Sequence, residues 1–197
     1  YLTLARESTG AREYLMPPLP NTLYTRDTTC WLYGGVTLNP LYWPARREET
    51  LIYKAIYLYH PDFVDSTVWW GDPEQNWGRA TFEGGDIMPV GNGTVLVGMG
   101  ERSSWQAISQ LSKNLFEKGA AERVLVAGMA PNRASMHLDT VFSFLDMDKI
   151  TVFKDVVDTI QPITVRPGDS GELDVTAESD HWNDVVAKAL NLKELKV

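Results

Sequence analysis

Residues 136–142 read Met136-His137-Leu138-Asp139-Thr140-Val141-Phe142, and the prediction of the fold begins with them. β-Branched and aromatic residues at this density are typical of a β-strand. Alternation along a strand places His137 and Asp139 on one face and Leu138 on the other. An imidazole beside a carboxylate can hold a cationic group and move protons next to it. A lone His-x-Asp pair more often has a structural role, so this interpretation depends on the rest of the chain.

The acidic residue of this segment recurs at a fixed interval. Asp27, Glu83 and Asp139 follow one another at intervals of 56 residues (83 − 27 and 139 − 83). Arg46 and Arg102 lie 19 residues beyond the first two acids (46 − 27 and 102 − 83). A period near fifty residues with matched turn and helix signals indicates a repeat architecture. We therefore expect the acids to converge on one centre, with the two arginines at its rim.

The first repeat is predicted to span residues 21–73 in the order strand, strand, helix, strand. Strand-forming residues fill 21–28, a hairpin with two glycines at its turn covers 31–38, a helix covers 46–60, and 68–70 is the last strand. The apolar residues at helical spacing, expected to face the core, are Leu51, Ile52, Ala55, Ile56 and Tyr59.

The second repeat is predicted to span residues 81–128. Adjacent glycines at 84–85 indicate a bulge or a close approach to the backbone. Asp86, which follows them, is either a second polar contact of the site or an aspartate that stabilises the turn. The helix is expected to begin after Ser103 or Ser104. Its predicted core stripe consists of Ala107, Ile108, Leu111 and Leu115.

The third repeat is predicted to span residues 136–197. Its first strand should pair with 149–153, Asp180 should begin a helix, and 192–197 should form a closing strand. Residues 168–174 have the composition of a linker. In this repeat no arginine lies at the position equivalent to the rim arginines.

Length and composition exclude several classes of protein. The 197 residues carry a formal net charge of −8, which argues against a nucleic-acid or anionic-membrane surface. No apolar run has the ~18 residues of a membrane span. The single cysteine, Cys30, excludes an intrachain disulfide and fits a reducing compartment. No Cys/His cluster has the spacing of a zinc site, and no glycine-rich phosphate loop is present. Cys30 itself is expected to be a small buried hydrophobic residue.

The candidate site combines acids, a histidine and arginines. Carboxylates in one water-poor pocket repel one another unless a cation lies among them. Two carboxylates complement a guanidinium, and two arginines complement a carboxylate. A ligand with a guanidinium at one end and a carboxylate at the other is an amino acid such as arginine. The alternative, surface ion pairs in a repeat protein, stays open on this ground alone.

Four segments, taken in order and with their spacing, resemble the motifs of the bacterial arginine deiminase family. They are Asn21-Thr22-Leu23-Tyr24-Thr25-Arg26-Asp27, Phe82-Glu83-Gly84-Gly85-Asp86, Gly100-Glu101-Arg102-Ser103-Ser104 and Met136-His137-Leu138-Asp139-Thr140. The resemblance implies the pentein fold, a pseudo-symmetric α/β propeller of five ββαβ units, of which residues 1–197 would hold about three. It also implies hydrolysis of L-arginine to L-citrulline and ammonia in the cytoplasm, by a homo-oligomer, without a metal or organic cofactor.

The resemblance also implies a role for each matching residue. His137 would be the general acid and base, and Glu83 would help bind the guanidinium and sustain the charge of the pocket. Asp27 and Asp139 would hold the guanidinium. The remaining substrate contacts would be Arg46, Arg102, Asn21 and Tyr24, the first three at the α-carboxylate and the last as a pocket wall.

The chain departs from the family pattern at the nucleophile. The family uses a cysteine in a glycine-rich loop near the C-terminus, and Cys30 matches a different, non-nucleophilic cysteine. We therefore expect an internal fragment that lacks the nucleophile segment, the first propeller unit and most of a helical domain, and that is inactive alone. Rival interpretations are another guanidino-modifying enzyme (a dimethylarginine hydrolase, an agmatine deiminase or an amidinotransferase) and a non-catalytic binding module. The two arginines favour a ligand with an α-carboxylate, which disfavours agmatine.

Overall fold

The computed structural model describes residues 18–197. Its strands are β1 (Thr29–Leu32), β2 (Gly35–Leu38), β3 (Thr67–Trp70), β4 (Ile87–Gly91), β5 (Thr94–Met99), β6 (Arg123–Gly128), β7 (Phe142–Asp146), β8 (Lys149–Val152), β9 (Gln161–Pro167) and β10 (Leu173–Ala177). Its helices are α1 (Thr25–Thr28), α2 (Glu49–Tyr59), α3 (Trp105–Glu117), α4 (Lys154–Val157) and α5 (Trp182–Ala189). Within these described residues, no helix has the length and apolar character needed to cross a membrane.

Three hairpins form the framework, and a short helical turn precedes each one. The hairpins pair β1 with β2, β4 with β5 and β7 with β8. Their turns lie at the three places where the sequence predicts them, Gly34-Gly35, Gly91-Asn92-Gly93 and Asp146-Met147-Asp148-Lys149. The turns before them are α1 and two 3-10 turns at Gly84–Asp86 and Leu138–Thr140. The acids of the 56-residue repeat therefore lie in or next to turns.

The segments 21–28 and 136–142 are not the strands that the sequence predicted. Each contains a threonine whose hydroxyl binds a carbonyl three residues earlier: Thr140 Oγ1 donates to the carbonyl of His137 at 2.6 Å, and Thr28 makes the same bond at 2.8 Å. Such local bonds offer the backbone an alternative to a strand ladder, and they favour a turn despite the β-branched composition.

The strands form three sheets with the orders β1-β2-β3, β10-β9-β6-β5-β4 and β7-β8. The strands that α2 and α3 connect, β2 with β3 and β5 with β6, are parallel neighbours, as the predicted repeat order requires. The last part of the chain differs, because β9 runs antiparallel to β6. The predicted closing strand at 192–197 is only a bridge between Lys149 and Lys196. The predicted linker at 168–174 is a tight turn at Asp169–Gly171 that leads into β10.

The position of α2 confirms the predicted helix, but the prediction of its buried face is wrong. Leu51 and Ile52 are 38% and 42% exposed, whereas Glu49, Thr50 and Tyr57 are buried. Thr50 donates a hydrogen bond to a backbone carbonyl after β2, and Glu49 pairs with an arginine of the preceding turn. These polar contacts orient the first turn of the helix. The spacing of hydrophobic residues does not reveal such contacts, so it predicted the wrong face.

The helices α3 and α5 each begin after a residue whose side chain accepts a hydrogen bond from a backbone N–H of the helix. Ser104 caps α3 by accepting a hydrogen bond from a backbone N–H, and Gly119 ends it with a positive φ of 65°. The predicted core stripe of α3 is buried in full. The cap of α5 is His181, not the predicted Asp180, because the imidazole accepts from a backbone N–H. Asp180 pairs instead with Lys188.

The five-stranded sheet has an apolar cluster on each face. Val124 and Val126 of β6 pack in the cluster that contains α3, and Leu125, between them, packs in the cluster that contains Trp182 of α5. Phe82 is buried in the first cluster and Leu138 in the second. These two anchors fix the backbone next to Glu83 and His137.

Candidate functional site

The three turns that precede the hairpins meet at one place. The α1 turn and the Leu138–Thr140 turn both pack against the Gly84–Asp86 turn. This packing brings Asp27, Glu83 and His137 together, with ligand atoms within 4.8 Å of one another. The predicted convergence is therefore present for Asp27 and Glu83, whereas the third acid, Asp139, lies outside this group and His137, two residues before it, takes part instead.

Glu83 and His137 form the centre of this cluster. His137 Nε2 lies 2.7 Å from Glu83 Oε2, and both residues are buried. Burial alone would lower the pKa of His137, but the hydrogen bond to Glu83 and the nearby acidic charges raise it above its ordinary value. Burial alone would raise the pKa of Glu83, but its hydrogen bonds to His137 and Arg102 lower it. Both directions favour a charged imidazolium–carboxylate pair.

Arg102 lies inside the cluster and not at its rim. Its Nη1 donates to Glu83 Oε2 at 2.9 Å, and the residue is only 6% exposed. Its Nε has no hydrogen-bond partner among the described residues, and the nearest carboxylate oxygen, on Glu101, is 3.6 Å away. A buried guanidinium N–H without a hydrogen-bond partner can donate to a further anionic group.

Arg46 also lies within the cluster, 4% exposed. Its Nη1 donates to Asp27 Oδ2 at 2.8 Å, and its Nη2 donates to Glu49 Oε2 at 3.0 Å. The same Nη1 is 3.9 Å from Glu83. The predicted arrangement of central acids and rim arginines is thus corrected: in this structure each arginine is paired directly with a central acid.

Asp139, Asn21 and Tyr24 lie around this centre. Asp139 is exposed as a residue, yet the partial burial of its carboxyl raises its pKa, an effect that the charges of His137 and Arg26 oppose. The backbone N–H of Asn21 donates to Glu49 at 2.9 Å, which ties it to the carboxylate that holds Arg46. Tyr24 is 61% exposed, so in this structure its ring does not form an enclosed wall.

The paired glycines allow the turns to approach each other. A Cβ at Gly85 would lie 2.5 Å from His137 Nδ1, and a Cβ at Gly84 would lie 1.9 Å from the carbonyl oxygen of Arg26. Real Cβ atoms do not approach other atoms so closely. The predicted close approach to the backbone at 84–85 is confirmed, and the approaching groups are an imidazole and a carbonyl.

Replacing Gly85 with alanine is expected to displace the His137 ring and break its bond to Glu83. Without that bond, burial dominates and the pKa of His137 should fall. Histidine NMR titration of the chain measures this. Gly100→Ala is the matched control, because the nearest atom to a Cβ there is 3.7 Å away. An unchanged His137 titration in Gly85→Ala would contradict the proposed crowding.

The donor set of Asp27, Glu83 and His137 could geometrically hold a metal ion. However, Asp27 already accepts a hydrogen bond from Arg46, and Glu83 accepts one from Arg102. The two guanidinium charges neutralise the same carboxylates that a cation would need. The carboxylates of this set are therefore already neutralised by guanidinium groups, and in this arrangement they do not suit a metal ion.

Cys30 does not have the properties of a nucleophile. Its side chain is buried beside Gly84, and burial raises its pKa to about 11. A thiol with this pKa is protonated near neutral pH, and the thiolate is the reactive form. The prediction that Cys30 is a small buried hydrophobic residue is confirmed.

Comparison with known proteins identifies the lineage. The family model described as arginine deiminase matches residues 2–197, nearly the whole chain. The chain belongs to the arginine deiminase family. This confirms the resemblance inferred from the four motifs.

Solved structures similar to this arginine deiminase family member show its fold. A dimethylarginine dimethylaminohydrolase from Pseudomonas aeruginosa, a cysteine-to-serine mutant complexed with citrulline, is 16% identical, with a TM-score of 0.53 over 91% of this chain and 69% of that one. An AgrE cysteine-to-alanine mutant with L-arginine is 20% identical, with a TM-score of 0.55 over 73% of this chain and 19% of that one. SxtG, an amidinotransferase from Microseira wollei, is 16% identical, with a TM-score of 0.54 over 68% and 43%. The chain has the pentein fold, as predicted. It spans 48% of another dimethylarginine dimethylaminohydrolase structure that it matches.

Two residues of the family member's site were not assigned a role from sequence. Glu49 is fully buried and binds Arg46 through both carboxylate oxygens. Its i,i+3 spacing from Arg46 is the signal that could have identified it. Asp86, which the sequence left between two roles, is fully buried and binds Ser103 and the backbone of Leu138.

Proposed function

We propose that this chain forms the substrate-binding and proton-transfer part of an enzyme that hydrolyses L-arginine to L-citrulline and ammonia. The observation that carries the proposal is the buried Glu83–His137 pair at 2.7 Å, next to Asp27 and the two guanidinium groups. Membership of the arginine deiminase family supports the same activity.

The charges of the cluster are complementary to arginine. Asp27 and Asp139 are the acids proposed to hold the substrate guanidinium, with Glu83 sustaining the charge of the pocket. Asp27 now binds Arg46, so the incoming guanidinium would replace one arginine cation with another. The released Arg46 and the unpaired Nε of Arg102 would then bind the substrate carboxylate, with Asn21 as a further contact and Tyr24 next to them. The guanidinium and the carboxylate of the substrate cancel in this exchange, and the α-ammonium of L-arginine adds one positive charge.

His137 is proposed as the general acid and base. A thiolate attacks the guanidinium carbon, and the departing ammonia takes a proton from His137, which leaves a covalent thiouronium intermediate. Water gives one proton back to His137 and attacks the same carbon, and collapse of this adduct passes the remaining hydroxyl proton to the released ammonia and frees citrulline and the thiolate. Glu83 keeps His137 protonated for the first step. Because Cys30 is a buried thiol, the proposal places the thiolate outside residues 1–197, as the family resemblance implies.

The setting of the enzyme follows from the same reasoning. No step needs a metal or an organic cofactor, and the single cysteine fits a cytoplasmic, reducing environment. Assembly into a homo-oligomer and the division into units 21–73, 81–128 and 136–197 remain predictions.

The experiment compares guanidino substrates. When the protein includes the segment that supplies the thiolate, we expect it to convert L-arginine to citrulline. It should form much less product from agmatine, because agmatine lacks the carboxylate that Arg46 and Arg102 would bind. The chain alone should produce no citrulline, measured by a colorimetric ureido assay. Citrulline formation by the chain alone would show that the nucleophile has been assigned wrongly.

A dimethylarginine hydrolase or an amidinotransferase is the second candidate. The similarity to a dimethylarginine dimethylaminohydrolase and to SxtG supports it at the level of fold. Turnover of methylated arginine in preference to arginine, or transfer of the amidino group to an added amine, would favour that candidate.

A further inference from the structure

Asp86 is a fully buried carboxylate that forms no salt bridge among the residues that the structure describes. Burial raises its pKa to about 7, against the opposing effects of His137 and of its own hydrogen bonds. Burying a carboxylate without an ion pair destabilises a fold, so a neutral side chain of similar shape would be tolerated there or preferred. A side chain that costs stability where it lies points to a role other than stability.

The contacts of Asp86 join three loops of the site. Asp86 Oδ2 accepts a hydrogen bond from Ser103 Oγ at 2.5 Å, and Oδ1 accepts one from the backbone N–H of Leu138 at 2.8 Å. Ser103 Oγ in turn accepts from the backbone N–H of Glu83 at 3.3 Å. Ser103 is adjacent to Arg102 in sequence, and Leu138 is adjacent to His137.

The neighbouring strand leaves room for this carboxylate. A Cβ at Gly98 of β5 would lie 2.0 Å from Asp86 Oδ1 and 3.0 Å from Leu138 Cβ. A glycine within a strand, where it has no side chain to pack, often marks a close approach of this kind. The space for Asp86 therefore depends both on the turn that carries it and on the glycine of β5.

We propose that Asp86 is a positioning residue that sets the placement of His137 and Arg102 relative to Glu83, by binding the backbone of one loop and the serine of the other. This inference rests on the proposed function only in naming arginine as the ligand. Asp86 itself does not touch the substrate. It acts through Ser103 on the Arg102 side and through Leu138 on the His137 side.

The test uses this 197-residue chain and two readouts. Histidine NMR gives the pKa of His137, which is one of three histidines and is assigned with His137→Gln. Calorimetric titration with L-arginine gives the affinity. The variants are Asp86→Asn, Ser103→Ala and their combination, with Ser112→Ala as the control because it also removes a buried hydroxyl, in α3.

We expect Asp86→Asn and Ser103→Ala each to weaken arginine binding about tenfold, as the loss of a hydrogen bond to a charged group does. The pKa of His137 should fall in both, although Ser103→Ala removes no charge. The double variant should be no worse than the worse single variant, because both side chains act through one contact. The melting temperature of Asp86→Asn should not fall, since the buried charge is gone.

Other outcomes overturn the proposal or locate the error elsewhere. The positioning role would be refuted if Ser103→Ala had the same His137 pKa and arginine affinity as Ser112→Ala. It would also be refuted if the effects of Asp86→Asn and Ser103→Ala added up in the double variant. Loss of affinity that only follows loss of folded protein would refute it too. If the wild-type chain does not bind arginine while the His137 shifts are non-additive, Asp86 keeps its role and the proposed ligand is wrong.

Discussion

In the protein that includes the segment supplying the thiolate, replacing His137 with alanine is expected to abolish citrulline production while arginine binding persists. General acid–base catalysis by a positioned side chain contributes about 10²–10⁴-fold to a rate, and the proposed reaction uses His137 in both steps. The proposed contacts to the substrate come from other residues, chiefly Asp27 and Arg46. Single-turnover assays measure the rate, and calorimetric titration of the same preparation measures the affinity.

The control for this experiment is His60→Ala. His60 lies at the end of α2, is about half exposed and lies 4.0 Å from the carboxylate of Asp62. The His60→Ala substitution should leave both the rate of citrulline production and the affinity for arginine unchanged. Unchanged citrulline production in His137→Ala would refute the acid–base role. Loss of arginine binding in the same variant would mean that His137 mainly holds the cluster together.

The sequence predicted those parts of the fold that depend on local signals. Glycines predicted the turns of the first two hairpins, and a serine predicted the start of α3. The equal spacing of Asp27, Glu83 and Asp139 predicted that separate segments would meet, and the turns that carry them do pack together. A repeat makes non-local contacts visible in one sequence because equivalent positions occupy equivalent places.

Errors arose where a polar contact decided the structure. The hydroxyls of Thr28 and Thr140 bind nearby carbonyls and convert strand-forming composition into turns. Glu49 and Thr50 orient the first turn of α2, so Leu51 and its neighbours face outward. Hydrophobic periodicity contains no information about such bonds.

The arginines illustrate a different limit. Their spacing predicted that Arg46 and Arg102 would lie near the acids, but not that each would bind one of them. A guanidinium reaches several ångströms from its backbone and binds whichever carboxylate neutralises it. In the folded chain Arg46 binds both Asp27 and Glu49, and Arg102 binds Glu83, and the spacing alone contains no sign of this choice.

Replacing Glu83 with glutamine is expected to have the largest effect on stability. The change keeps the shape but removes the charge that Arg102 and His137 share. Removing one partner of a buried ion pair costs about 3–5 kcal/mol, because the other charge is left uncompensated. Urea unfolding of this chain gives the difference in free energy. Glu101→Gln is the control, since that carboxylate lies 3.6 Å from Arg102 without bonding His137.

The pH dependence of the difference in unfolding free energy between wild type and Glu83→Gln tests whether Glu83 and His137 form an ion pair. Despite burial, hydrogen bonds lower the pKa of Glu83 below its ordinary 4.5, so its contribution is present above pH 4.5 and is lost as the pH falls through the folded value. Despite burial, the bond to Glu83 raises the pKa of His137 above 6.5, so its contribution is complete below pH 6.5 and is lost as the pH rises through the folded value. The difference between wild type and Glu83→Gln should therefore be greatest between pH 4.5 and 6.5. On the alkaline side it should decline only in part, because Arg102 stays charged. A difference that is constant from pH 4 to 9 would mean that Glu83 and His137 do not form an ion pair in the folded chain.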